Sequence, residues 1–179
     1  HFYELTRRHP IKLTAQHLDI TETDIEVTGR YFIPHVVEPS FGVDRIVYAT
    51  LEYAYSKEGK RTRLALPRDV APIKVMVFPL VTRNGLPDTA IKVYRTLLDE
   101  GIVVRYDSSG SIGRRYARAD EIGVPICITI DYQSMKDNTV TLRDLYSWTQ
   151  VRAAIPHLAK LLQRYFKKKC DFTDLGTPL

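Results

Sequence analysis

Apolar and polar positions change period several times along this chain, and each change predicts an element. DIEVTGRYFIPHVVEP (24–39) reads as two antiparallel strands joined near Thr28-Gly29, with Pro39 closing the second. From Gly42 the period lengthens. Val43, Ile46, Val47, Leu51 and Ala54 recur at i, i+3, i+4, i+8 and i+11, one face of an amphipathic helix. YSKEGKR is its charged, glycine-containing exit. LALPRDVAP, with prolines at 67 and 72, reads as a linker that divides the chain into segments 1–70 and 71–179.

The second segment alternates strand and helix. IKVMVFPL (73–80) is a short apolar strand. Pro87 and Asp88 open a helix that places Ala90, Val93, Tyr94, Leu97 and Leu98 on one face, and Gly101 stops it. IVVRY (102–106) is a strand, DSSGS a loop, and IGRRYARADEI a short polar helix ended by Gly123. VPICITI (124–130) and TVTL (139–142) are further strands, and a last helix is expected over 147–168. This order predicts an α/β fold: an open, mixed, largely parallel sheet flanked by helices, preceded by an antiparallel strand pair and the helix from Val43.

Composition adds limits. With 44% apolar and 26% charged residues, the 179-residue chain suits a packed core. No apolar run is long enough to span a bilayer and no signal peptide opens the chain. It starts at His1, which suggests a piece of a longer protein. Two cysteines make no disulfide framework or zinc site, and Cys127, inside an apolar strand, suits the core of a protein from a reducing cytosol. The five histidines show no metal spacing. The charge is uneven. Ten Lys/Arg balance ten Asp/Glu in 1–70, so the whole +5 lies in 71–179. That is compatible with a nucleic-acid partner without requiring one.

Four places carry candidate chemistry. In Glu38–Arg45, Gly42 admits close approach to the backbone, the free N–H groups of a helix start favour an anion, and Arg45 offers a flat, permanently charged fork. An internal pair of Glu38 with Arg45 explains the same residues. In and just after SSGSIGRR, arginines 114, 115 and 118 stand near Tyr106 and Tyr116, a combination suited to unpaired RNA bases, or else to a solvated helix face. In TLRDLYSW, Arg143 and Asp144 fall at a strand end, where open sheets often bind ligands; a salt-bridged turn is the alternative. LAKLLQRYFKKK is basic and amphipathic, as a solvated terminal helix would be.

Glu38-Pro39-Ser40-Phe41-Gly42-Val43-Asp44-Arg45-Ile46 resembles motif 3 of the class II aminoacyl-tRNA synthetases, in the form found in glycyl-tRNA synthetases of archaeal and eukaryotic type. DSSGSIGRRYARADEIGVP followed by TLRD resembles the anticodon-binding domain of the same family, and the likeness extends over about residues 20–155. The resemblance implies that segment 1–70 ends a catalytic domain and that 71–179 is an anticodon-binding domain. It implies that Arg45 and Gly42 bind ATP, with the adenine against Arg45, and that Glu38 and Ser40 bind glycine. Arg114, Arg115, Arg118, Arg143 and Asp144 would meet the tRNA anticodon.

The implied activity is that of a glycine–tRNA ligase in the cytoplasm. ATP is a substrate accompanied by Mg²⁺, no cofactor is tightly held, tRNA(Gly) is the partner, and the full enzyme is a homodimer. Neither a membrane nor DNA is implied. The family's motifs 1 and 2 are not in this chain, so it is expected to be inactive alone. The alternative is a non-catalytic, synthetase-like nucleic-acid-binding subunit of the polymerase-accessory type.

Overall fold

The computed structural model describes residues 14, 16–19, 21–26, 28–59 and 61–179. The chain forms two compact units, His1–Ser40 and Phe41–Leu179. The described residues of the first unit are all exposed and form no helix or strand, Tyr31, Phe32, Ile33, Val36 and Val37 included. This corrects the strand pair expected over 24–39, of which Val27 lies outside the described residues. A strand needs a neighbour for its N–H and C=O groups and a surface for its apolar face, and the described residues of this unit supply neither.

The second unit begins with the expected helix, α1 (Val43–Ala54). It runs without a break into an antiparallel pair, β1 (Tyr55–Glu58) and β2 (Arg61–Leu64), in which Tyr55 faces Leu64. Gly59 turns the chain in the left-handed conformation (φ 61°), which a residue with a Cβ resists. The antiparallel pair therefore follows this helix rather than preceding it.

The core is a six-stranded sheet. Its elements are β3 (Val75–Pro79), α2 (Leu86–Asp99), β4 (Val104–Tyr106), α3 (Ile112–Glu121), β5 (Ile126–Ile130), the single turn α4 (Ser134–Asp137), β6 (Thr139–Asp144), β7 (Gln150–Ala154), α5 (Leu158–Phe166) and β8 (Thr177–Pro178). The strand order is β4-β3-β5-β6-β7-β8. Mixed character is confirmed: β3 runs parallel to β4 and β5, and β5 through β8 pair antiparallel. The last helix is shorter than expected. Gln150–Ala154 is a strand that buries Val151 and Ala153, and Pro156 stands in the turn that starts α5.

Period-two alternation splits the sheet's side chains between two helical layers. Val75, Val77, Ile126, Ile128 and Leu142 face α2 and α5, whose Leu86, Val93, Leu97, Leu158 and Leu162 complete the larger core. Met76, Phe78 and Cys127 face α3, against Ala119 and Tyr116. Cys127 is a core residue as expected, and burial pushes its thiol far above the usual range. The α3 side is mixed in polarity. Tyr116 and Thr129 join through their hydroxyls at 2.6 Å, and Arg143 lies on the same face. Among the described residues, no helix is long and apolar enough to cross a membrane.

Candidate nucleic-acid interface

Parallel strands place their C-terminal ends, and the loops that follow, at one end of a sheet. Here that end carries Leu80–Asn84 after β3, Asp107–Ser111 after β4, and Asp131–Gln133 after β5. A groove of about 480 Å³ lies there, lined by Leu80–Thr82, Ser108, Gly110–Ile112 and Arg115. The first turn of α3 opens onto it. Ser111 is the N-cap and makes no side-chain cap, so main-chain donors remain for a ligand.

Arg115 anchors the floor. It is 3% exposed, and its guanidinium donates to the carbonyls of Pro79 and, at 2.8 Å, Gly110, tying the end of β3 to the loop. Its buried Nε has no hydrogen-bond partner among the described residues. Gly110, at φ 71°, supplies the left-handed turn before the helix. Asp107 braces the loop by accepting from the Ser109 amide at 2.8 Å and from Arg118 at 2.6 and 3.0 Å. Partial burial alone would raise the Asp107 carboxyl; the Ser109 amide and Arg118 outweigh it and hold it below its ordinary value. The Arg118 side chain remains 42% exposed, and Arg114, one helical step from Arg115, is exposed.

A second network stands beside it. Asp131 accepts both arms of Arg152 at 2.8 Å, and Ser134 caps it through its amide and hydroxyl. The Arg152 fork is the main reason the Asp131 carboxyl sits well below the usual range. Arg152 also donates to Thr139 and Thr141. Tyr132, 45% exposed, presents a ring next to this network. Sequence reasoning missed Asp131 and Arg152. Asp-x-x-Ser is a legible helix-start signal, but its partner lies 21 residues away on another strand.

Arg143 and Asp144 do not join this face. Strand β6 runs antiparallel to β5, with Asp144 opposite Ile126, so its C-terminal end lies at the opposite end of the sheet. A parallel β6 would have put both residues at the groove end of the sheet. Both are buried. Arg143 pairs bidentately with Asp120 of α3 at 2.9 and 3.2 Å. Asp144 accepts from Ser147 and Tyr146 in the following turn and from the Tyr165 hydroxyl. Both residues, expected to meet an anticodon, thus have their polar groups engaged by internal partners, and Arg115 is likewise committed to the carbonyls beneath the loop.

The motif-like stretch divides between the two units. Glu38 and Ser40 are exposed residues of the first, while Gly42 and Arg45 are exposed residues of the second. Gly42 is the N-cap of α1 and contributes no side chain to it; the only acidic residue in the first turn is Asp44. Among the described residues of its unit, Arg45 has no ion-pair partner. Among the described residues, no cluster of three His, Cys, Asp or Glu is placed to hold a metal ion.

Residues 74–165 match the family model described as an anticodon binding domain. The chain is 52% identical over 170 residues to a glycine–tRNA ligase of Aeropyrum pernix, covering 94% of this chain and 29% of that protein. It is 48% identical over 148 residues to one of Methanothermobacter thermautotrophicus (82% and 26%), and 43% over 157 residues to one of Methanocaldococcus jannaschii (88% and 27%). It thus spans under a third of the length of the curated relatives it matches. The matched residues take in the whole of β3 through β7, the Arg115-anchored loop and the groove above it, and the chain belongs to the anticodon binding domain family.

Proposed function

We propose that this chain is the C-terminal part of a glycine–tRNA ligase and that the groove face of its sheet binds the tRNA anticodon. The observation that carries the RNA reading is the loop Asp107–Ser111, held open by Arg115 from below with Arg114 exposed above it. Main-chain donors and Arg114 suit phosphate or base edges, Arg118 adds partly exposed charge, and Tyr132 offers a stacking surface. Arg115 supports that surface from inside, whereas Arg143 and Asp144 are held at the opposite end of the sheet.

The reaction proposed for the intact enzyme joins glycine to ATP, giving glycyl-adenylate and pyrophosphate. Transfer of the glycyl group to the terminal ribose of tRNA(Gly) follows. Arg45 would lie against the adenine, Gly42 would admit the nucleotide to the backbone, Glu38 would take the glycine ammonium and Ser40 would line its pocket. The exposed guanidinium of Arg45, at a helix start and without an ion-pair partner among the described residues of its unit, supports this assignment. Positioning and charge stabilisation supply the catalysis, and Mg²⁺ accompanies ATP. The domain boundary is placed near residue 70, the working form of the intact enzyme is a homodimer, and its location is the cytoplasm.

Binding of this chain to transcribed glycine tRNA tests the RNA reading. Altered anticodon bases should weaken binding at fixed salt, and Arg114→Ala should weaken it and lower the salt slope by about one. Equal, salt-sensitive binding to both transcripts would reduce the face to a phosphate attractor. The chain alone should show no glycine-dependent ATP–pyrophosphate exchange; a measurable rate would overturn that expectation.

A further inference from the structure

The end of the sheet opposite the groove holds a cluster that anticodon binding does not use. Trp148 stands in the turn between β6 and β7 at φ 59°, a left-handed conformation rare for a bulky side chain. Three guanidinium groups converge on its ring: Arg61 and Arg63 of β2 at 5.4 Å each and Arg143 of β6 at 5.7 Å. Arg143 continues the stack to Tyr116 at 4.8 Å and to Asp120, both on α3. Arg63 donates to the Tyr146 carbonyl and to Glu58, closing the hairpin onto this turn. Gly123, just past α3, lets the chain at β2 come so close that an added Cβ would stand 2.6 Å from the Leu64 carbonyl oxygen.

Three cations around one ring repel one another, and a residue held in a sparse backbone conformation adds strain. What the arrangement achieves is a continuous path. The N-terminal turn of α3 borders the groove, its far end meets Arg143 and β2, and β2 is hydrogen-bonded to β1, which extends α1 without a break. The Ala65 amide also bonds the last residue of α1, Ala54, at 2.7 Å. Helix α3, ten residues or about 15 Å long, is the strut between them.

We propose that the Trp148 stack is a rigid joint that fixes the anticodon-binding sheet relative to α1. It thereby registers a tRNA held at the groove with the site that Arg45 serves. Trp148, Arg61 and Arg63 are positioning residues for the transfer step. This rests on the ligase reading above. Transfer needs the terminal ribose and the adenylate aligned, and an error of about 1 Å in such alignment costs on the order of 100-fold. Adenylate formation involves no tRNA, so it does not depend on the joint.

The test uses the intact ligase that carries this chain, with Trp148→Ala, Arg61→Ala and, as the conservative control, Trp148→Phe. Affinity for glycine tRNA, ATP–pyrophosphate exchange and the turnover of tRNA charging are measured for each. Trp148→Ala should leave affinity and exchange within about two-fold while charging turnover falls about ten-fold or more. Arg61 is exposed, so its loss spares the core; Arg61→Ala should show the same split more weakly, and Trp148→Phe should restore turnover. Unchanged charging in Trp148→Ala overturns the joint. Where Trp148→Ala loses all three activities in proportion, Arg61→Ala decides: normal charging, or a proportional loss there too, overturns it. A wild-type enzyme with neither glycine-dependent exchange nor charging would remove the ligase reading itself.

Discussion

Helices α1 and α2 carry the same kind of apolar stripe and meet opposite fates. In α2, Leu86, Ala90, Val93 and Leu97 are almost wholly buried against the sheet. In α1, Val43 is 70% and Leu51 44% exposed, and Ala54 alone is buried. The period identifies which face of a helix wants cover, and it does not say whether the same chain supplies the cover. The α2 stripe is answered by β3, β4 and β5, which come from neighbouring sequence. Among the described residues, the α1 stripe has beside it only the short β1–β2 pair and the segment just after it, where Leu66 and Ala71 cover Ala54.

A second contrast separates the two ends of α3. Near its start Arg114 keeps its charge at the surface; the arginine at its far end, Arg143 of β6, is spent internally on Asp120. Burial of that pair is tolerated because each guanidinium arm meets a carboxylate oxygen and the flat faces meet Tyr116 and Trp148.

Breaking that pair is expected to have the largest effect. Asp120→Ala leaves Arg143 buried and uncompensated, and should destabilise the fold by about 3–5 kcal/mol in denaturant titration. Arg114→Ala on the same helix should stay within about 0.5 kcal/mol. The helix contrast comes next. Leu97→Ala in α2 should cost about 2–5 kcal/mol, whereas Leu51→Ala in α1 should cost less than about 1 kcal/mol in this chain. Equal losses would mean that α1 is covered as well as α2. Gly123→Ala should cost about 1–3 kcal/mol, because φ 75° is unfavourable with a Cβ and the Leu64 carbonyl blocks the space.

The smallest expected effect is one of pH. Arg152 holds the folded-state Asp131 carboxyl below its unfolded value of about 3.9. Its stabilising contribution is therefore complete above that value and is lost as pH falls through the lower folded value. Asp131→Asn should flatten the acid limb of the thermal-stability curve below about pH 4 and leave the neutral limb parallel. An unchanged acid limb would show that the Arg152 fork confers no such linkage.

Element types were largely legible because they rest on local period and on glycine and proline punctuation. The helix from Val43, the strands around Val77 and Ile128, and the stop at Gly101 all follow from residues within a few positions of each other. The strand over 150–154 was hidden inside an expected helix, because VRAAIP suits either period until Pro156 is placed at a helix start. The strands expected over 24–39 failed for the converse reason: alternation is a local property, but a ladder needs a second strand.

By itself the sequence determined the α/β alternation, the arginine-rich helix and the two motif-like stretches that pointed to a tRNA-binding family. Tertiary structure alone decided which arginines reach solvent. Arg114 and Arg115 are neighbours in sequence, yet about 100° of helical rotation sends one to solvent and the other under the loop. The reversed direction of β6 carried Arg143 to the far end of the sheet, where its partner lies 23 residues away in sequence. Strand direction and charge pairing are settled by long-range hydrogen bonding and packing, and no local pattern encodes them.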